Sequence, residues 1–277
     1  MERMTINRVV QAMAGVAALL LLQACEKEID IDYRTVGSMY VAEGSVTQNG
    51  TSVLLSTTMN VDDNARRDHV VEGATVVVSV PDLGLAETLT YRGNGRYESS
   101  LRGIVGNVYQ LDIDVDGQHF TATSTMQEVP VVNSFRFVWR KVVTETMLFA
   151  DLRIQDRPNE NNYYFMHIYR NNIGYRWAVM RDDAKPGGEL QQLFNCALKR
   201  DIEKEGNNEV SDGDRIRVEV RSIDRASYDY LYSMQLMDNT GTNPILNFTG
   251  GCLGYFSAYG VTTSDMTFHL AEVEEDE

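Results

Sequence analysis

The sequence predicts an all-β protein made of two antiparallel β-sandwich domains, with one short helix in the second. Apolar and polar residues alternate with a period of two over many short runs, of which 109–115 (YQLDIDV) is the clearest. Gly, Asn and Pro separate these runs, as turn residues separate strands. The 277 residues are enough for two domains of ordinary size.

The first 24 residues are typical of a signal peptide. Residues 1–8 carry two Arg against one Glu, and the run 9–22 is almost wholly apolar. This run is shorter than the roughly 20 apolar residues that a membrane-spanning helix needs. The segment 1–24 therefore favours export over permanent membrane spanning.

The sequence LQAC at the end of this segment resembles the lipobox of bacterial lipoproteins, although Gln23 stands where a small residue is usual. The resemblance implies cleavage between Ala24 and Cys25 and attachment of diacylglycerol and a further acyl chain such as palmitate to Cys25. Each buried CH₂ contributes about 0.8 kcal/mol, so acyl chains can anchor a chain that does not span the membrane. The alternative is an ordinary signal peptide in which the cysteine occurs by chance.

Residues 25–36 form an acidic tether. Its start, CEKEIDID, resembles the acidic export signal of surface-exposed lipoproteins in the Bacteroidota, which implies an outer-membrane protein facing the cell exterior. The alternative is a solvated spacer that holds the folded part away from the bilayer.

The N-terminal sandwich is predicted over 37–129. Its clearest hairpin, 109–123, turns at Asp116-Gly117, a pair that suits the positive φ angles of a type I′ turn. Asp112, Asp114 and Asp116 also begin like an EF-hand loop. That motif needs a Glu at its twelfth position, where this chain has Thr123, so no metal is predicted here.

The C-terminal β-rich domain is predicted over 130–277, after the boundary sequence Glu128-Val129-Pro130. The segment 225–237 changes to a helical period and is predicted to be a helix on the second sheet, capped by Asp224. The Tyr and Met residues along this helix indicate packing more than a cofactor site. The strands predicted before and after the loops of this domain are 132–142, 147–156, 163–172, 175–183 and 215–223.

Two cysteines remain besides Cys25. In an exported chain Cys196 and Cys252 can form a disulfide, which would stabilise the fold by about 4 kcal/mol if the geometry permits. The alternative is two buried free thiols, since cysteine packs well as a small apolar residue.

Charge and motifs exclude several function classes. The formal net charge of −15 argues against nucleic-acid binding. The four His residues are scattered, and the sequence has no H-E-x-x-H, G-x-S-x-G or Walker motif. We therefore predict no catalytic residues, no cofactor and no enzyme. The many Tyr residues of the second domain could stack on sugars or peptides, but they do not by themselves identify a binding site.

The order of several short motifs resembles a known family. MYVAEGSVTQNG, VEGATVVVSV and GNVYQLDIDVDGQHFTATS are followed near the C-terminus by RSIDRASYDYLYSM and NPILNFTGGCLGYFSAYG. They resemble a family of Bacteroidota outer-membrane lipoproteins that is filed as a domain of unknown function and is encoded beside TonB-dependent transporters. The first domain also resembles immunoglobulin-like and transthyretin-like sandwiches.

The resemblance implies a lipid-anchored, non-enzymatic accessory or ligand-binding partner of a TonB-dependent outer-membrane transporter. One alternative is an adhesin or fimbria-associated structural protein, since a sandwich with an exposed edge can accept a donor strand. A surface hydrolase is a third hypothesis.

Overall fold

The computed structural model describes residues 38–59, 69–158, 160–182, 187–204, 209–240 and 244–275. The predicted signal peptide, the tether, Ala24 and Cys25 lie outside these residues. The described part contains seventeen strands and the helices α1 (Lys199–Ile202) and α2 (Arg225–Thr240). The strands are β1 (Tyr40–Thr47), β2 (Gly50–Thr57), β3 (Thr75–Val80), β4 (Leu85–Thr88), β5 (Thr90–Gly93), β6 (Arg96–Ser99), β7 (Val108–Val115), β8 (Gln118–Thr125), β9 (Val132–Val142), β10 (Glu145–Gln155), β11 (Asn162–Arg170), β12 (Ile173–Asp182), β13 (Glu189–Leu198), β14 (Arg215–Ile223), β15 (Leu253–Ala258), β16 (Gly260–Thr267) and β17 (Glu274–Glu275).

These strands form four sheets that pair into two sandwiches. Sheet 1 has the order β15-β1-β2-β6-β5 and sheet 2 the order β4-β3-β7-β8, and together they enclose the first core. Sheet 3 has the order β13-β10-β9-β17 and sheet 4 the order β12-β11-β14-β16, and they enclose the second core. The predicted all-β sandwich class is confirmed.

The hairpin β7–β8 shows how the sequence pattern produces the structure. Val115 pairs with Gln118, and the two residues between them, Asp116 and Gly117, have φ angles of 49° and 74°. Both φ angles are positive, as the predicted type I′ turn requires. Leu111 and Ile113 on β7 are fully buried in the first core, so the alternation in the sequence matches the two faces of the sheet.

Strand β15 returns to the first sandwich from late in the chain. It pairs in parallel with β1, where Gly254 lies opposite Ala42 and Tyr255 opposite Glu43. Phe256 and Ala258 enter the first core between sheets 1 and 2. The contiguous second domain predicted as 130–277 is therefore wrong for this segment, because β15 is an edge strand of sheet 1.

Helix α2 lies on the outer face of sheet 4. The Asp224 side chain accepts a hydrogen bond from the Ser227 backbone N–H at 2.9 Å, so the predicted N-cap is present. Asp224 also accepts a 2.6 Å hydrogen bond from the Ser124 hydroxyl on β8. A single side chain thus fixes both the start of α2 and its position against the first sandwich.

The structure corrects the predicted disulfide. Cys196 and Cys252 are both free and buried. Cys196 belongs to the second core and Cys252 to the first core, so the two thiols face different sandwiches. Burial raises the pKa of the Cys196 thiol to about 11 and that of Cys252 to about 12, which keeps both protonated and unreactive.

Candidate ligand-binding site

A pocket of about 340 Å³ lies where α2 and the outer faces of sheets 4 and 1 meet. Its size is at the lower end of the range for small-molecule sites. Strands β11, β12 and β14 supply its floor, α2 supplies one wall, and β1 and β15 supply an adjoining wall. The lining residues are Glu43, Phe165, His167, Trp177, Arg221, Tyr230, Leu231, Met234 and Tyr255.

Arg221 is the positive charge of this pocket. Its guanidinium group lies 5.0 Å from the ring centroid of Phe165 and 4.8 Å from that of Tyr259, within cation–π range of both. Its Nε donates to the Glu219 carboxylate at 2.5 Å, and its Nη1 donates to the Tyr255 hydroxyl at 3.4 Å. These contacts hold the guanidinium group in one orientation at the floor.

His167 supplies a neutral polar group beside Arg221. Burial, and then the positive charge of Arg221, lower the pKa of His167 below its usual value. The ring stacks on Tyr169 with centroids 4.0 Å apart. It also passes close to the backbone of Gly174, where a Cβ atom would lie 2.8 Å from the His167 Nε2. The glycine therefore leaves the space that the imidazole occupies.

Aromatic rings form much of the remaining lining. Trp177 is 39% exposed and its ring centroid lies 5.9 Å from that of Phe165. Tyr230 of α2 stacks on Tyr255 of β15 with centroids 5.5 Å apart, so these two walls meet. Aromatic faces of this kind bind the apolar faces of sugars and peptides, and their polar atoms accept or donate hydrogen bonds.

The pocket offers several kinds of group to a ligand. Aromatic side chains supply flat apolar surfaces, and Arg221, held by the Glu219 carboxylate, supplies one oriented cation. His167 adds one neutral imidazole, and the exposed carboxylate of Glu43 lies at the rim.

Two other depressions of similar volume occur in the described part of the chain. One, of about 360 Å³, lies between Phe137 and the C-terminal segment around Phe268, and the other, of about 370 Å³, adjoins Ile173 and Tyr175. Neither combines several aromatic faces with a half-buried, oriented charge. We therefore take the pocket around Arg221 as the candidate site.

The pocket contains only some of the tyrosines that the sequence suggested for ligand binding. Of the tyrosines noted in the sequence, Tyr230 and Tyr255 line the pocket, whereas Tyr164 is buried in the second core. Sequence reasoning missed Trp177 and Arg221, because their convergence depends on sheet pairing. Ala24 and Cys25 lie outside the described residues.

Among the described residues, none of the groups of three or more His, Cys, Asp or Glu side chains has an arrangement that could hold a metal ion. Nor does any helix in that part of the chain have the length and apolar character needed to cross a membrane.

The fold and the pocket define the class of protein as an all-β protein of two joined sandwiches with an aromatic pocket at their junction. The chain belongs to the family described as "Domain of unknown function (DUF4249)", whose sequence model matches residues 26–265. This match confirms the predicted resemblance to a family of unknown function. The comparison with curated proteins gives no match for this chain.

Proposed function

We propose that this protein is a lipid-anchored lipoprotein of the outer membrane, exposed at the cell surface, that binds a small ligand and acts as a non-enzymatic accessory of a TonB-dependent transporter. The place in the cell rests on the lipobox and acidic tether at 22–30. The binding role rests on one structural observation, the aromatic pocket with Arg221 at its floor.

The pocket favours a ligand with flat apolar faces and an anionic or hydroxyl-rich group. Trp177 and Tyr255 offer faces for stacking, while the guanidinium group of Arg221 can donate to oxygen atoms. The volume suits a small sugar or a short peptide more than a folded partner. Nutrients of this size are what a transporter accessory would capture.

Intrinsic fluorescence tests the binding role directly, because the chain has only two Trp residues. Trp177 lines the pocket, whereas Trp139 is 7% exposed and lies in the second core. In a Trp139→Phe variant, titration with small sugars, amino acids and short peptides should give a saturable emission change for the true ligand class. The Trp177→Phe variant should show no such change. Saturable binding by calorimetry without any response from Trp177 would contradict the assignment of the site.

Gentle detergent extraction tests the partnership. A C-terminally tagged chain should co-purify with a TonB-dependent transporter, and the Cys25→Ser variant should lose this association along with the membrane fraction. A solitary lipoprotein after mild extraction would contradict the partnership. Protease treatment of intact cells tests surface display, and full protection of the protein would contradict it.

A structural role as an adhesin or fimbria-associated protein is the second candidate, and one observation favours it. Among the described residues, the outer edge of the eleven-residue strand β9 pairs only at Val138 and Trp139, through the two-residue strand β17. The backbone groups along the rest of this edge could pair with a donor strand from another molecule. Ladders of polymers on gels would favour this role, and a monomer at high concentration would contradict it.

A further inference from the structure

The inner faces of sheets 3 and 4 end in polar side chains at one end of the second sandwich. Asp156 follows β10 two residues after the buried Ile154, so it continues the inner face of sheet 3. Asn162 lies two residues before the buried Tyr164 on β11, and Asp182 lies directly opposite Asn162 on β12. The three polar residues are 4%, 2% and 4% exposed, in chain order.

Two oxygen atoms in this group have no partner. The Oδ1 atoms of Asp156 and Asn162 are buried and accept no hydrogen bond. The Asn162 Nδ2 donates to the backbone carbonyls of Arg157 at 3.0 Å and Glu160 at 3.3 Å. Two carbonyl acceptors fix the amide orientation, so its oxygen faces the other way as a free acceptor. Burying a carboxylate oxygen and an amide oxygen without donors is unfavourable unless something else binds them.

The nearby positive charge of Arg157 is shared with other acids. Its Nη1 lies 3.3 Å from Glu128 and its Nε lies 3.9 Å from Glu160. Burial raises the pKa of Tyr164, Arg157 lowers it, and the carboxylates of Asp156 and Asp182 raise it. The two buried carboxylates and the guanidinium group therefore all act on the charge of the Tyr164 hydroxyl. Among the residues that the structure describes at this end of the sandwich, acidic groups outnumber the cation.

We propose that Asp156, Asn162 and Asp182 bind a divalent cation of the size of Ca²⁺. Calcium takes carboxylate, amide and backbone carbonyl oxygens and tolerates irregular geometry with water in the remaining positions. The three side chains come from strand ends of two facing sheets, so a bound cation would join sheet 3 to sheet 4. This site is separate from the pocket around Arg221 and from the acidic hairpin β7–β8.

The test uses the full-length chain in detergent, stripped with EGTA and titrated with CaCl₂, with Tm and calorimetry as readouts. Ca²⁺ should raise the Tm by saturable linkage. The Asp156→Asn variant should bind Ca²⁺ at least about tenfold more weakly. In EGTA its Tm should equal or exceed that of the unaltered protein, because the variant no longer buries an unpaired charge.

Two further variants make the result specific. Asp182→Asn should also lose the response to Ca²⁺, whereas Asp114→Asn, which alters the acidic hairpin on β7, should keep it. The proposal is overturned if millimolar Ca²⁺ leaves the Tm unchanged, or if Asp156→Asn keeps the full response. It is equally overturned if Asp156→Asn fails to fold, or if only Asp114→Asn loses the response.

Discussion

Gly254 tests the placement of β15 beside β1. Its φ angle is +94°, and a Cβ atom there would overlap the carbonyl oxygen of Ala42 and lie 2.8 Å from the Ala42 carbonyl carbon. Neither atom can move aside, because both belong to the backbone of β1, which is paired on both sides. The Gly254→Ala variant should therefore lose stability through both backbone strain and steric overlap.

Gly251 provides a matched control three residues earlier. Its φ angle is +89°, but a Cβ atom there would have no neighbour within 4 Å. An alanine at positive φ costs about 1–2 kcal/mol, so Gly251→Ala should lose about that much. Overpacking typically adds about 1–3 kcal/mol. The Gly254→Ala variant should therefore be about 2–5 kcal/mol less stable than the unaltered protein.

Urea unfolding of both variants, followed by circular dichroism, measures these costs. The difference between the two variants isolates the contact with Ala42, since both share a positive φ. Equal losses for Gly251→Ala and Gly254→Ala would refute the close approach of β15 to β1. That result would also undermine the wall of the pocket, which contains Tyr255 of β15.

Three other predictions follow from buried or strained groups. Cys196 and Cys252 should not react with a thiol reagent at neutral pH in the folded protein and should react fully in denaturant; a disulfide would leave no thiols in either state. His167 has a lowered pKa in the folded state, so its contribution to stability is complete above the unfolded pKa of about 6.5 and is lost as the pH falls below that value. The His167→Gln variant should therefore show a flatter dependence of Tm on pH between about 6.5 and 5. An unchanged slope would contradict this. Val143, at a hairpin tip, is 89% exposed with φ of +58°, so Val143→Asn should raise stability by about 1 kcal/mol in urea unfolding, and a loss would refute the strain.

Local pattern predicted much of the fold. The turn at Asp116-Gly117 and the cap at Asp224 depend on residues within a few positions of each other, and both occur as the sequence indicates. The close approach at Gly254, where β15 pairs with β1, depends instead on contact with Ala42, which is far away in the sequence.

Long-range pairing could not be predicted in the same way. The sequence around Cys252 does not show which sandwich this segment joins. The loop-entropy argument for a disulfide with Cys196 considers only chain length, whereas the structure places the two thiols in different cores. The disulfide prediction was wrong because strand topology, not sequence separation, decides which side chains meet.

The two candidate sites could not be predicted from the sequence either, because they also depend on long-range pairing. Trp177 and Arg221 lie on strands of sheet 4 and Tyr255 lies on sheet 1, so long-range strand pairing decides that they meet. Asp156 and Asn162 follow an alternating pattern, yet nothing in that pattern shows that their Oδ1 atoms lack donors. The residue types predicted which functional groups are available, but the geometry of the sheets determines which of them lie close together.

Mass spectrometry of the N-terminus of the mature protein, purified from membranes, tests the proposed location most directly. The proposal predicts a chain that begins at Cys25 and carries diacylglycerol on its thiol, with the Cys25→Ser variant released from the membrane. A mature chain without an acyl group, or a Cys25→Ser variant that stays in the membrane, would contradict the lipid anchor and the function that depends on it.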